Sequence, residues 1–125
     1  SHGQSLAADL ELAAAVRSAL AGVKPVAEVK MFGGIGFMLN GNLLVGVSKR
    51  GLLLRVGKDR QSQALAKPGT RQMEMRGHPM EGYVYVDPPI EPDAVRGWVD
   101  MAKAFVRTLP PKTMAKRRPT KRKKK

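Results

Sequence analysis

Apolar residues recur at helical spacing at both ends of the sequence and at strand spacing between them. From Ser5 to Leu20, the residues Leu6, Leu10, Ala13, Ala14 and Leu20 fall near one stripe. That pattern predicts an amphipathic helix, with Asp9 and Arg17 left to solvent or to charge partners. Ser5 is the expected N-cap, since its hydroxyl can accept from an orphan backbone N–H. Gly22 and the Lys24-Pro25 pair end the helix.

From Val29 the pattern turns to strands. Val29 to Phe32 and Ile35 to Leu39 are apolar runs separated by Gly33 and Gly34. Asn40-Gly41 follows between apolar segments and predicts a tight hairpin, because both residue types tolerate positive φ. Leu43 to Val47 forms the return strand, Ser48 to Gly51 a turn, and Leu52 to Val56 the next strand. Asp59 is expected to cap a short helix reaching about Ala66, which Lys67-Pro68-Gly69 ends. Met73 and Met75 alternate with Gln72, Glu74 and Arg76 as in a half-buried strand. Gly77 to Gly82 reads as a connection and Tyr83 to Val86 as a short strand, closed by Asp87-Pro88-Pro89. A last helix begins near Pro92, where a missing N–H costs nothing, and buries Val95, Trp98, Val99, Ala102, Phe105, Val106 and Leu109 before Pro110-Pro111.

The expected order is α-β-β-β-α-β-β-α, a two-layer α+β domain with a mainly antiparallel, five-stranded sheet. Residues 4–111 make up that domain, residues 1–3 read as a tag remnant, and residues 112–125 as a separate basic tail. The 125 residues allow one modest core. Cysteine is absent, which excludes disulfides and thiolate chemistry and fits a reducing, cytoplasmic setting. No apolar run approaches the roughly 20 residues of a membrane span.

The glycines first raise the question of phosphate binding. A dinucleotide fingerprint would need a third glycine at Leu39 and a helix after it, and a P-loop would need Gly-Lys-Ser/Thr. Neither is completed, so these glycines are expected to shape the backbone. The run Met31-Phe32-Gly33-Gly34-Ile35-Gly36-Phe37 with Leu39-x-Gly41 resembles the "MFGGYGLYxDG" signature of the TfoX N-terminal domain family. Leu52 to Val56 resembles that family's "LYLKV" strand, and Tyr83 to Pro88 its "YYEVP" stretch. Phe37-Met38 replaces the usual Leu-Tyr, and the aspartate before Gly41 is missing. The resemblance implies a secretion-chaperone-like α+β fold, kinship with the TfoX/Sxy regulators of natural competence, and no established catalytic residues. Those regulators usually carry a second, carboxy-terminal domain, where this chain continues into the basic tail.

Candidate chemistry is sparse. With His2 assigned to the tag remnant, His78 is left beside Pro79 in a polar turn, without a nucleophile or carboxylate at a readable spacing. Asp87 is expected to cap a turn rather than activate water. No enzyme activity, cofactor or metal is expected. Met31, Met38, Met73 and Met75 read as core filling, with a Met-lined peptide groove as the sharper alternative.

Charge adds the one clear partner class. Net charge is +13, from 23 Lys and Arg against 10 Asp and Glu. Nine of those cations lie in the tail without one acidic residue: Lys112, Lys116, Arg117, Arg118, Lys121, Arg122, Lys123, Lys124 and Lys125. The remaining 14 basic residues leave the body at only +4. Such a tail is expected to be disordered alone and to bind nucleic acid nonspecifically through phosphates, since it has no aromatic to stack on bases. Anionic lipid is a weaker fit, as no amphipathic helix or lipidation site supplies a second anchor. The expected function is a non-enzymatic bacterial regulatory or nucleoid-associated protein whose folded part binds a protein partner or itself. The alternative is a chaperone-like or peptide-binding module with no nucleic-acid role.

Overall fold

Strand periodicity dominates the middle of the chain, and a computed structural model shows how those strands assemble. It describes residues 2–31 and 33–112, with side chains from residue 10 onward. The elements are α1 (His2–Ala19), β1 (Val26–Met31), β2 (Gly34–Leu39), β3 (Asn42–Ser48), β4 (Gly51–Arg55), α2 (Lys58–Leu65), β5 (Thr70–Met75), β6 (His78–Val86) and α3 (Pro92–Val106). All strands join one antiparallel sheet in the order β1-β2-β3-β4-β6-β5.

Alternation decides the two faces of the sheet. Phe37, Leu39, Val45, Val47, Leu52, Leu54, Val84 and Val86 point to one side, where α1, α2 and α3 cover them. Leu12, Ala13 and Val16 of α1 and Val95, Val99, Ala102 and Val106 of α3 complete this core. On the opposite face Leu53, Met73 and Tyr85 form a smaller cluster, edged by Leu43, Met80 and Tyr83. The α+β class, the two layers and the antiparallel pairing agree with the sequence. The α3 helix opens with Pro92 in its first turn and buries Val95, Trp98, Val99, Ala102 and Val106 of its expected stripe. Phe105 is only partly buried, and Leu109 lies past the helix end, also partly buried.

The sheet has six strands rather than five. Residues 26–39 are two strands because the chain reverses around Gly33, whose φ of +74° suits glycine. Gly34 then sits so close to β3 that an added Cβ would collide with the Val47 carbonyl oxygen. Asn40 and Gly41, with φ of 53° and 81°, make the expected hairpin turn. A bulge beside it pairs Phe37 with Val45 but Met38 with Leu43, which turns both Leu44 and Val45 into the core.

Local expectations fail where backbone geometry overrides residue preference. Ser5 is no N-cap, since α1 begins at His2. Asp59 lies inside the first turn of α2, whose N-cap is Gly57. The expected connection at Gly77 to Gly82 is mostly strand, because Arg76 and Gly77 form a hairpin turn with φ of 54° and 80°. A register shift between Gln72 and Glu74 separates the two β5 methionines: Met73 is buried, whereas Met75 is 37% exposed.

Candidate nucleic-acid interface

The route of the chain after α3 determines where the basic tail begins. Thr108 closes the helix end by donating from Oγ1 to the Phe105 carbonyl at 2.6 Å, and its backbone N–H donates to the same oxygen. Pro110 and Pro111 cannot continue a helix, so the chain leaves extended and crosses the β2–β3 turn. Two hydrogen bonds fix the crossing. Asn42 Nδ2 donates to the Pro110 carbonyl at 2.9 Å, and the Lys112 N–H donates to the Asn40 carbonyl at 2.7 Å. The approach requires glycine at position 41, where a Cβ would strike the Lys112 carbonyl oxygen.

Asn40 therefore ties the tail root to the rest of the fold. Its N–H donates to the Pro25 carbonyl at 3.2 Å, and it lines a cleft of about 300 Å³. Gly22, Val23, Lys24, Leu39, Lys103 and Arg107 form the remaining walls. Three cations and no carboxylate line this cleft. Lys103 and Arg107 stand one helical turn apart at the end of α3, where cations also meet the negative end of the helix dipole. Asp100 approaches Lys103 at 3.7 Å, a long contact on an exposed carboxylate. Lys24, Lys103 and Arg107 together can donate to phosphate oxygens from several directions.

Lys112 is the one predicted tail cation within the described residues; Lys116, Arg117, Arg118, Lys121, Arg122, Lys123, Lys124 and Lys125 lie outside them. Sequence reasoning missed Lys24, Lys103 and Arg107. The i, i+4 spacing of Lys103 and Arg107 was a local signal, but Lys24 reaches them only through the fold. Of the glycine motif, Gly33 and Gly41 make turns, and Gly34 and Gly36 permit close packing, Gly36 beneath the Met31 thioether. Phe32 lies outside the described residues.

Other candidate chemistry stays dispersed. His78 is exposed at the start of β6, opposite Met75 across the hairpin. Asp87 pairs with Arg71 at 2.9 Å instead of capping a turn, while its own N–H bonds the Gly69 carbonyl. Among the described residues no three His, Asp or Glu side chains converge as metal ligands, and no helix is long and apolar enough to cross a membrane. A second cleft holds Arg55 near the Tyr83 and Phe105 rings, at 5.4 and 5.8 Å from their centroids. Its walls mix Lys58 with Asp59 and Glu81, so it lacks the one-signed charge of the cleft beside Asn40.

Compared with known proteins, the chain matches no curated protein and no solved structure. The sequence profile of the TfoX N-terminal domain matches residues 18–106, which takes in the glycine motif, the whole sheet and α3. The chain belongs to the TfoX N-terminal domain family.

Proposed function

We propose that this protein is a cytoplasmic regulator of the competence type that holds nucleic acid through its phosphates and catalyses no reaction. Membership of the TfoX N-terminal domain family supports the regulatory role. The nucleic-acid role rests on one observation: the Lys112 N–H bonds the Asn40 carbonyl beside Lys24, Lys103 and Arg107. The tail thus starts from a cationic surface rather than from a neutral one, and a polyanion held by the tail is led onto the fold. Binding of this kind is electrostatic and reads phosphate, not base sequence.

The peptide-binding alternative has less to support it. Its natural seat, the outer sheet face, closes on itself: Leu53, Met73 and Tyr85 are only 4%, 5% and 9% exposed. The hollow between Met31, Leu53 and Tyr85 offers only about 20 Å³.

Fluorescence anisotropy with labelled duplex DNA at low salt tests the proposal. The full chain should bind with little sequence preference, and removal of residues 113–125 should abolish most of that affinity while leaving the fold intact. If the full chain fails to bind DNA or RNA at low salt, the nucleic-acid reading is wrong.

A further inference from the structure

The sheet ends in an unpaired strand. β1 pairs with β2 on one side, and among the described residues no strand covers the other. The Asn40 N–H bonds the Pro25 carbonyl, so the residue before β1 turns its carbonyl toward β2. Backbone polarity alternates along an antiparallel strand. Ala27, Val29 and Met31 therefore bond β2, and the N–H and C=O groups of Val26, Glu28 and Lys30 point outward. The side chains of these three residues lie on the helix-covered face, as their partners Leu39, Phe37 and Ile35 do.

Two charged residues, Glu28 and Lys30, sit in that outward row, and α1 reaches the first of them. Arg17 Nε and Nη2 donate to the Glu28 carboxylate at 2.7 and 2.9 Å, which fixes the carboxylate at the edge. Leu10 and Ala14 lie seven and three residues before Arg17, on the same side of α1. Leu10 is 60% exposed, the largest exposure among the large apolar side chains described.

We infer that β1 is a self-association edge, pairing antiparallel with β1 of a second copy about a twofold axis at Val29. Charge selects both the occupant and the register. Only twofold pairings that bring outward-facing residues together and oppose at least three residues of β1 form a ladder, and they centre on Ala27, Glu28, Val29 or Lys30. Centring on Glu28 sets carboxylate against carboxylate, and centring on Lys30 sets ammonium against ammonium. Centring on Ala27 opposes Lys30 to Lys24. Centring on Val29 places each Glu28 opposite Lys30 of the other copy, twice, as hydrogen-bonded pairs. Opposite charges at such positions favour a ladder and like charges disfavour it. The axis stands perpendicular to the sheet, so both helical layers share one side and the Leu10–Ala14 faces turn toward each other.

Sedimentation equilibrium of the full chain over a range of concentrations tests this, with circular dichroism checking that each variant folds. The wild-type chain should show a monomer–dimer equilibrium. Lys30→Glu and Glu28→Lys should each weaken the dimer at least tenfold. Mixing the two variants should restore association, because the altered strands again oppose unlike charges at both positions. A wild-type chain that stays monomeric throughout overturns the inference. So does a Lys30→Glu variant that dimerises as tightly as wild type, or a mixture no tighter than its components. None of these outcomes depends on nucleic acid.

Discussion

The Asn42 carboxamide donates to the Pro110 carbonyl at 2.9 Å across the β2–β3 turn, 68 residues apart in sequence. Asn42 is 8% exposed and is the only buried polar side chain among the described residues. A buried amide needs its partner, so this pair fixes where the tail root lies. Replacing Asn42 with Ala leaves the Pro110 carbonyl with one donor fewer and should cost about 1 kcal/mol, a fall of several degrees in Tm. Thermal denaturation by circular dichroism checks the size of the loss. An unchanged Tm would mean that the crossing is held without this bond.

Gly34→Val should cost more. The new side chain would meet the Val47 carbonyl oxygen and stand within 2.9 Å of the Ser48 Cβ, so β2 and β3 would have to separate. Overpacking of this kind costs about 1–3 kcal/mol. Urea denaturation should show a lower midpoint with little change in slope.

Gly97→Ala has the opposite sign. Gly97 lies exposed inside α3, and a Cβ there meets nothing within 4 Å. Alanine should stabilise the protein by about 0.5–1 kcal/mol through helix propensity. A lower Tm would show that α3 needs the bare backbone at this point.

The contrast between these glycines marks how far the sequence could be read. Asn40-Gly41 and the α3 stripe were legible because each is set by neighbours in sequence, through turn chemistry and helical period. The sixth strand was not: its reversal depends on Gly33, which also fitted a kink within one strand. The Arg76-Gly77 turn was hidden because arginine gives no signal for positive φ, and the β5 register shift moves Met75 outward without any local cue. The tail charges were plain in composition. The cationic cleft beside Asn40 was not, because Lys24 and Arg107 come from opposite ends of the domain and meet only after α1 and α3 pack together.

Arg17 and Glu28 supply a pH signature. The hydrogen bonds from Arg17, with its positive charge, hold the Glu28 carboxyl below its ordinary value near 4.5, against a smaller opposing effect of burial. A group whose folded pKa is depressed adds stability above its unfolded pKa and loses it as pH falls through the folded value. Arg17→Gln should therefore show a small Tm deficit against wild type at pH 7, and the deficit should shrink as pH drops below about 4.5. Both residues are largely exposed, so raising the salt at pH 7 should shrink it too. A deficit that persists at pH 2–3 would assign the effect to packing of the Arg17 stem over Phe37, whose ring centroid lies 6.0 Å from the guanidinium carbon.

The salt dependence of DNA binding separates the tail from the cleft. If all nine tail cations met phosphates, log K would fall against log salt with a slope of about −8, and partial engagement brings this to between about −3 and −6. The cleft adds Lys24, Lys103 and Arg107 to that set. Changing these three to Ala in the full chain should flatten the slope by up to about 3, roughly one for each phosphate left without its cation. Affinity should fall to the same extent on unrelated DNA sequences, because phosphate contacts carry no base information. Anisotropy titrations at several salt concentrations, on duplexes of different composition, read both quantities. The variant should stay folded with a Tm loss of at most several degrees, since Lys24 and Arg107 are exposed and only the Lys103 stem, with its side chain 26% exposed, packs against the fold. An unchanged slope would confine binding to residues 112–125 and leave the cleft without a role in it. A fall on one duplex but not another would instead give the cleft a part in reading sequence.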